Sequence, residues 1–369
     1  MVRILHIAHD RLYEPLKGGG GVARHIHGLC QELAALHADV RVVARQTDVA
    51  NAVYDVSDAS GLDLRPHIAW ADVVHLHGPR LPRMAIAAVA AHLMSKPFVF
   101  TPHAYYDRQP PDEPGIGWLA WKAKQVFKKA LYDQTVERFL ITRSFATVLL
   151  NDSWREFVRD SMRLPISRCV VLPNCVRAAD LPQISRKHGN ALTGNPVILS
   201  VGRLDEVKRL EDVISGLALP GLENAVFHIV GKGPDLPRLR EIAYRNDVAG
   251  RVCFHGVIDD HGVDLMSAAC DVFVLPSRQE GMPTVLIEML LRGVPVVCSD
   301  IPGNRAILDM AGADGLYPLG DVPALVRTLR KLAGRKVQDE VRQRVADTLT
   351  WEKRAPEFLE LYEKAVAGD

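Results

Sequence analysis

The chain lacks an excess of either charge. Lys plus Arg number 45 and Asp plus Glu 44, for a formal net charge of +1. Dedicated nucleic-acid binders carry a basic surplus, so nucleic acid is set aside as a partner. Cysteine motifs are missing too. Cys30, Cys169, Cys175, Cys253, Cys270 and Cys298 form no C-x-x-C pair, and the last three lie in apolar runs. They read as buried reduced thiols in a cytoplasmic protein, not as a disulfide framework. No apolar run reaches the roughly 18 residues needed to span a bilayer. Arg143 interrupts the nearest one, 139–150. The apolar stretch within residues 1–7 is too short for a signal-peptide core. Low-complexity segments and short-period repeats are absent. What is present is ordinary for a globular protein: 369 residues, 48% hydrophobic and 24% charged. That length predicts two domains at roughly 150 residues each.

Short apolar runs alternate with amphipathic stretches from end to end. Residues 3–9, 39–44, 72–77, 97–101 and 146–150 read as strands, with helices over 22–36 and 118–142. The runs are continuous, which predicts strands buried on both faces of a parallel sheet. The pattern then restarts, with strands over 196–201, 225–230, 251–255, 271–275 and 294–299 and helices over 208–217, 236–246 and 283–292. Two such series predict an α/β protein of two Rossmann-like, doubly wound parallel-sheet domains. The polar stretch 177–195 has linker composition. Past Gly334 the chain reads as helices, the last ending at Val366.

Three stretches carry chemistry. Gly18-Gly19-Gly20-Gly21 follows the first strand and precedes a helix, whose N-terminus offers free N–H groups to a phosphate or sugar. A flexible surface loop is the alternative. In Val201-Gly202-Arg203-Leu204-Asp205-Glu206-Val207-Lys208 a strand ends, at the edge where open α/β sheets bind ligands. Arg203 and Lys208 are spaced to straddle a diphosphate, or else are solvated beside Asp205 and Glu206. In Glu280-Gly281-Met282-Pro283-Thr284, Pro283 fits the first helical position and Met282 falls at a cap it cannot fill. The first-turn N–H groups are then open to an anion. Glu288 lies in the second turn of an otherwise apolar helix and needs a partner, such as sugar or ribose hydroxyls. His75 and His77 share a strand face. A metal there would need a third ligand, which the neighbouring sequence lacks, so no metal site is assigned.

Glu280 and Glu288 form the E-x7-E motif, and with it the chain resembles glycosyltransferase family 4, retaining enzymes of the GT-B fold. The resemblance spans nearly the whole chain. It takes in Gly18–Gly21, Asp72–Gly78, Thr101-Pro102-His103, Val171-Leu172-Pro173-Asn174, Val201–Lys208, Ile229–Pro234 and Gly293–Val297. It implies two domains facing across a cleft. Residues 1–176, joined by a returning helix at 351–369, would bind acceptor; 196–350 would bind a nucleotide-diphosphate sugar. Arg203 and Lys208 would hold the diphosphate, Glu288 the ribose and Glu280 a hydroxyl of the sugar. The backbone of Gly281, Met282, Pro283 and Thr284 would line phosphate and sugar. Gly231 would pack near the nucleoside, Gly19 and Gly20 would close over the donor, and His103 would contact the transferred sugar. Asp-x-Asp, typical of metal-dependent transferases, is absent. Arg203, Lys208 and a helix N-terminus can neutralise a leaving diphosphate, so no cofactor or metal is expected.

The implied function is retaining, metal-independent sugar transfer to a glycan or lipid-linked acceptor in bacterial cell-surface polysaccharide synthesis, by a monomer. Alternatives are a catalytically silent nucleotide-sugar-binding subunit and a GT-B enzyme such as an epimerase. Cys175 stands where the family has Gly, Arg177 where Asp is frequent, and Ala306 where a Glu often follows Pro302-Gly303. The chain carries 21 basic and 17 acidic residues before Val176, but 24 and 27 from there on. Residues 118–143 hold 6 basic and 2 acidic residues, with Trp118, Trp121, Val126, Phe127 and Leu131 on one helix face. Either that face packs on the core, or the segment docks on the anionic cytoplasmic membrane.

Overall fold

The structure is a computed structural model. It describes all residues except 9–12, 14, 16–19, 45–48, 50–51, 59–63, 104, 106–119, 124–125, 128, 182–191 and 369, and the side chains of 129 and 130. The chain forms two compact units, Met1–Asn174 with Arg354–Asp369, and Cys175–Lys353. The closing helix Trp351–Ala367 gives its first three residues to the second unit and the rest to the first.

The first unit is a seven-stranded sheet in the order β3-β2-β1-β4-β5-β6-β7. Its strands are β1 (Arg3–Ile7), β2 (Asp39–Ala44), β3 (Asp55–Asp58), β4 (Val73–His77), β5 (Phe98–Thr101), β6 (Ala146–Leu149) and β7 (Cys169–Val171). All neighbours run parallel. β4 is buried at every position, as expected of a strand covered by helices on both faces. Leu5, Ile7, Val74, Leu76, Phe98 and Phe100 form the centre of the core on one side.

The second unit repeats the plan with six strands, β10-β9-β8-β11-β12-β13. These are β8 (Val197–Val201), β9 (Val226–Val230), β10 (Val252–Gly256), β11 (Val272–Leu275), β12 (Val296–Ser299) and β13 (Leu316–Tyr317). In both sheets the strand order reverses beside the first strand, at β1/β4 and at β8/β11. Beyond the carboxyl ends of such strands two loops diverge and leave a crevice. The six cysteines are free thiols, five of them buried. Among the described residues no helix is long and apolar enough to cross a membrane.

Candidate functional site

In the second unit the sequence-predicted loops meet at the β8/β11 switch point. Leaving β8, the chain passes Gly202 and Arg203 into a single tight turn, Glu206–Lys208. Arg209 then adopts a left-handed conformation (φ 49°) before the helix Leu210–Gly216 begins. Lys208 therefore precedes the helix rather than starting it, and its side chain is released toward the neighbouring loop. The amide of Arg278 donates to Val207 O at 2.7 Å, fastening the loop after β11 to this turn.

Lys208 Nζ lies 2.6 Å from Glu280 Oε1, and Ser277 Oγ donates to the same oxygen at 2.6 Å. Both bonds fall on Oε1, which leaves Oε2 to accept from a ligand hydroxyl. The ammonium has three donors and spends one here. Arg203 is 75% exposed and binds Asp205 Oδ2 through Nε (2.8 Å) and Nη2 (2.6 Å). Such exposed pairs contribute about 0–1 kcal/mol, so an incoming phosphate can recruit the guanidinium.

A buried polar chain stands behind Glu280. Ser299 Oγ donates to Ser277 O, and Asn304 Nδ2 donates to Ser299 O at 2.9 Å. Gly303 packs on the backbone in front of it: a Cβ here would fall 2.6 Å from Glu280 O and 2.8 Å from Gly281 O. Gly231, at φ +136°, is equally constrained, because a Cβ would lie 1.8 Å from Gly202 O. The loops after β8 and β9 thus touch backbone to backbone, a spacing only glycine allows. Ser277, Ser299, Gly303 and Asn304 were not singled out from sequence. The only signal was their place after strand ends.

The helix Thr284–Leu291 follows with no side-chain cap. Pro283 holds the cap position in extended conformation, one residue earlier than the expected first helical position. The uncapped start is retained. Glu288 is buried on this helix as expected of its second turn, but it has a protein partner. Arg292 Nη1 lies 3.6 Å from its Oε2, and Arg292 also binds Asp264. Met282 is buried, Pro283 and Thr284 half-buried, and Gly281 is buried beneath Gly303.

In the first unit His103 follows β5 with φ +62°, a left-handed conformation rare outside glycine, and is buried. It is not isolated. His77 Nδ1 lies 3.1 Å from His103 Nε2, and His77 Nε2 lies 2.9 Å from His6 Nδ1. The His25 ring meets His103 edge-on at 4.6 Å, and its Nδ1 is 2.9 Å from Asn174 Oδ1. His75 is held by Thr101 Oγ1 (2.7 Å) and Tyr362 OH (2.6 Å). Burial pushes His6 down to about 3 and His25 to about 4. It holds His75 and His77 well below the ordinary histidine value, so these four rings are neutral at pH 7. No third ring lies near His75 and His77 in the sequence; the fold brings His6, His25 and His103 to them at the β1/β4 switch point. Gly20 opens the helix Gly20–Ala35 at φ +79°, whereas Gly18 and Gly19 lie outside the described residues.

Within the apolar stripe of 118–143, Trp121 is half-buried and three residues face outward. Val126 and Phe127 are each 63% exposed and Leu131 48%. The core-facing alternative is thereby overturned for these three residues. Leu131 lies in a wide-turn helical segment, Lys129–Glu137, where the 3.6-residue phase used to group the five residues does not hold. Trp118, Lys124 and Lys128 lie outside the described residues.

Comparison with known proteins agrees with this architecture. Residues 183–347 match the family "Glycosyl transferases group 1", and residues 62–175 match the "Glycosyl transferase 4-like domain". The 2-deoxystreptamine N-acetyl-D-glucosaminyltransferase of Streptomyces fradiae is 28% identical over 74% of this chain and 64% of its own length. The phosphatidyl-myo-inositol mannosyltransferase of Mycobacterium leprae is 26% identical over 84% of this chain and 83% of its own. Among solved structures, sucrose-phosphate synthase of Thermosynechococcus elongatus superposes with a TM-score of 0.77 at 18% identity, covering 100% of both chains. Anabaena Alr3699/HepE in complex with UDP-glucose superposes with a TM-score of 0.71 at 15% identity, covering 98% of this chain and 100% of its own. The fold is that of the GT-B glycosyltransferases. The chain belongs to the group 1 glycosyltransferase family.

Proposed function

We propose that this protein is a retaining, metal-independent transferase. It moves a sugar from a nucleotide-diphosphate sugar to a hydroxyl of a glycan or lipid-linked acceptor, in bacterial cell-surface polysaccharide synthesis. The observation that carries the reading is the Lys208–Glu280–Ser277 contact at the β8/β11 switch point, beside an uncapped helix N-terminus. A cation, a carboxylate and free N–H groups at one crevice match a diphosphate joined to a sugar.

Lys208 and Arg203 take the diphosphate, and the first-turn amides around Thr284 add donors. Glu280 Oε2 accepts from a sugar hydroxyl. Gly231 gives the nucleoside close access to the backbone, and Glu288 binds the ribose. His103 contacts the transferred sugar. The bond between the anomeric carbon and the diphosphate breaks while the acceptor oxygen bonds on the same face. The acceptor proton passes to the departing phosphate oxygen. Cations and amides already in place stabilise the charge that develops on the diphosphate. UDP-glucose in the HepE structure supports the class of donor, and the mannosyltransferase relative, named for a phospholipid, supports a lipid-linked acceptor.

The membrane reading rests on Val126, Phe127 and Leu131 beside the basic residues of 118–143. The helix Pro82–Leu93 adds exposed Ile86, Val89 and Leu93, one face at i, i+3 and i+7. The protein acts in the cytoplasm, on the inner face of the membrane. A thermal-shift panel of nucleotide-sugars tests the donor assignment. Release of nucleoside diphosphate with and without acceptor separates transfer from a silent subunit and from epimerisation.

A further inference from the structure

Five histidines converge at the β1/β4 switch point, and two sets of three bring ring nitrogens within 4.8 Å of one another: His6, His75, His77 and His25, His77, His103. The hydrogen bonds separate the two sets. His75 has both ring nitrogens engaged, one by Thr101 and one by Tyr362. The other set is oriented from behind. The Asn174 amide oxygen only accepts, so His25 carries its proton on Nδ1 and its lone pair on Nε2. His77 can donate from Nε2 to His6 Nδ1, which places its lone pair on Nδ1, the atom facing His103 Nε2. A partner on the far ring nitrogen that fixes tautomer and orientation is the usual support of a metal-binding histidine.

We propose that His25 Nε2, His77 Nδ1 and His103 Nε2 form a binding site for a divalent transition metal of the zinc, cobalt or nickel class. A tetrahedral ion with metal–nitrogen bonds of about 2.0–2.1 Å sets its ligand nitrogens about 3.4 Å apart. The 3.1 Å between His77 Nδ1 and His103 Nε2 is close to that spacing. To bind, His103 carries its proton on Nδ1 instead of Nε2. Imidazole nitrogens suit these ions. Three protein ligands leave one position open. Of the three residues only His103 has any exposure.

The site is distinct from the diphosphate site and supplies no step of the transfer. Metal binding stands independently of the proposed reaction. Its consequence rests on that reading: the ion occupies His103 Nε2 and so blocks the contact with the sugar, making it a reversible inhibitor.

The test is titration of the full-length protein with Co²⁺ at pH 7.5, read by visible absorption. One equivalent should give the intense d–d bands of tetrahedral cobalt, displaced by Zn²⁺. His25→Gln and His77→Gln should weaken binding at least 100-fold, whereas His75→Gln, in the same cluster but outside the set, should retain it. Circular dichroism confirms that each variant folds, and a variant that does not fold leaves the wild-type titration to decide. Absence of stoichiometric tetrahedral bands, or equal binding by folded His25→Gln, overturns the site. Transfer activity read in parallel should fall with one equivalent of Zn²⁺ and return with chelator. Full activity of the metal-loaded protein overturns the inhibition while leaving the site intact.

Discussion

Lys208 and Glu280 form an ion pair of 2.6 Å across 72 residues of sequence, joining the loop after β8 to the loop after β11. Glu280 is nearly buried and Lys208 is its cationic partner, so removing one leaves the other exposed to the full cost of desolvation. Lys208→Ala should abolish turnover, weaken nucleotide binding and lower stability by about 1–3 kcal/mol. Adding Glu280→Gln should recover most of that stability without restoring turnover. A double-mutant cycle in urea, with activity assayed on the same samples, checks both halves.

Gly303 supports Glu280 from the backbone side. Gly303→Ala must displace the carbonyls of Glu280 or Gly281, since its Cβ would enter at 2.6–2.8 Å. The expected cost is about 1–3 kcal/mol, as for other overpacked sites, together with loss of donor affinity. Gly250→Ala, where nothing lies within 4 Å, is the control and should leave both nearly unchanged. Chemical denaturation and nucleotide titration of the two variants make the comparison.

Glu137 gives the first unit a pH signature. Burial raises its carboxyl to about 7, against hydrogen bonds from the Arg80 amide (2.5 Å) and Tyr105 OH (2.8 Å). The folded state therefore holds this proton more tightly than the unfolded chain. Its stabilisation is complete below the ordinary value of 4.5 and is lost as pH rises through about 7. Wild type should lose up to about 3 kcal/mol from this group across that window. Glu137→Gln should flatten that slope. Unfolding free energies from pH 4.5 to 8 give the answer.

The proposed membrane contact of the exposed stripe centres on Phe127. Phe127→Ser should reduce co-sedimentation with anionic vesicles at low salt without changing thermal stability, because the ring is largely exposed. Neutral vesicles should recover little of either protein. Equal recovery by both vesicle types would remove the electrostatic part of the account.

The central strands were legible because burial on both faces writes them as continuous Val/Ile runs. The edge strands β3 and β13 were not: Asp55–Asp58 carries two aspartates, and Leu316–Tyr317 is only two residues long. The helix Pro82–Leu93 escaped notice because its five alanines give little periodic contrast. Arg203, Lys208 and Glu280 stood out as charges at strand ends, and the structure brings Lys208 to Glu280. Arg203 is bound to Asp205 instead. The histidine cluster was illegible for a topological reason. His6, His25, His77 and His103 lie on β1, the helix Gly20–Ala35, β4 and the segment after β5, and only the reversal of strand order beside β1 gathers them. Tyr362, which holds His75, arrives on a helix 287 residues away.

The account's central claim is that the β8/β11 crevice of the second unit holds a nucleotide-diphosphate sugar through Lys208. The most direct measurement is thermal unfolding of wild type and Lys208→Ala against a panel of nucleotide-diphosphate sugars, since a ligand bound only by the folded state raises the midpoint. The account predicts that at least one nucleotide-sugar raises the wild-type midpoint and that Lys208→Ala largely abolishes the shift. An equal shift in both proteins, or none from any nucleotide-sugar, would contradict it.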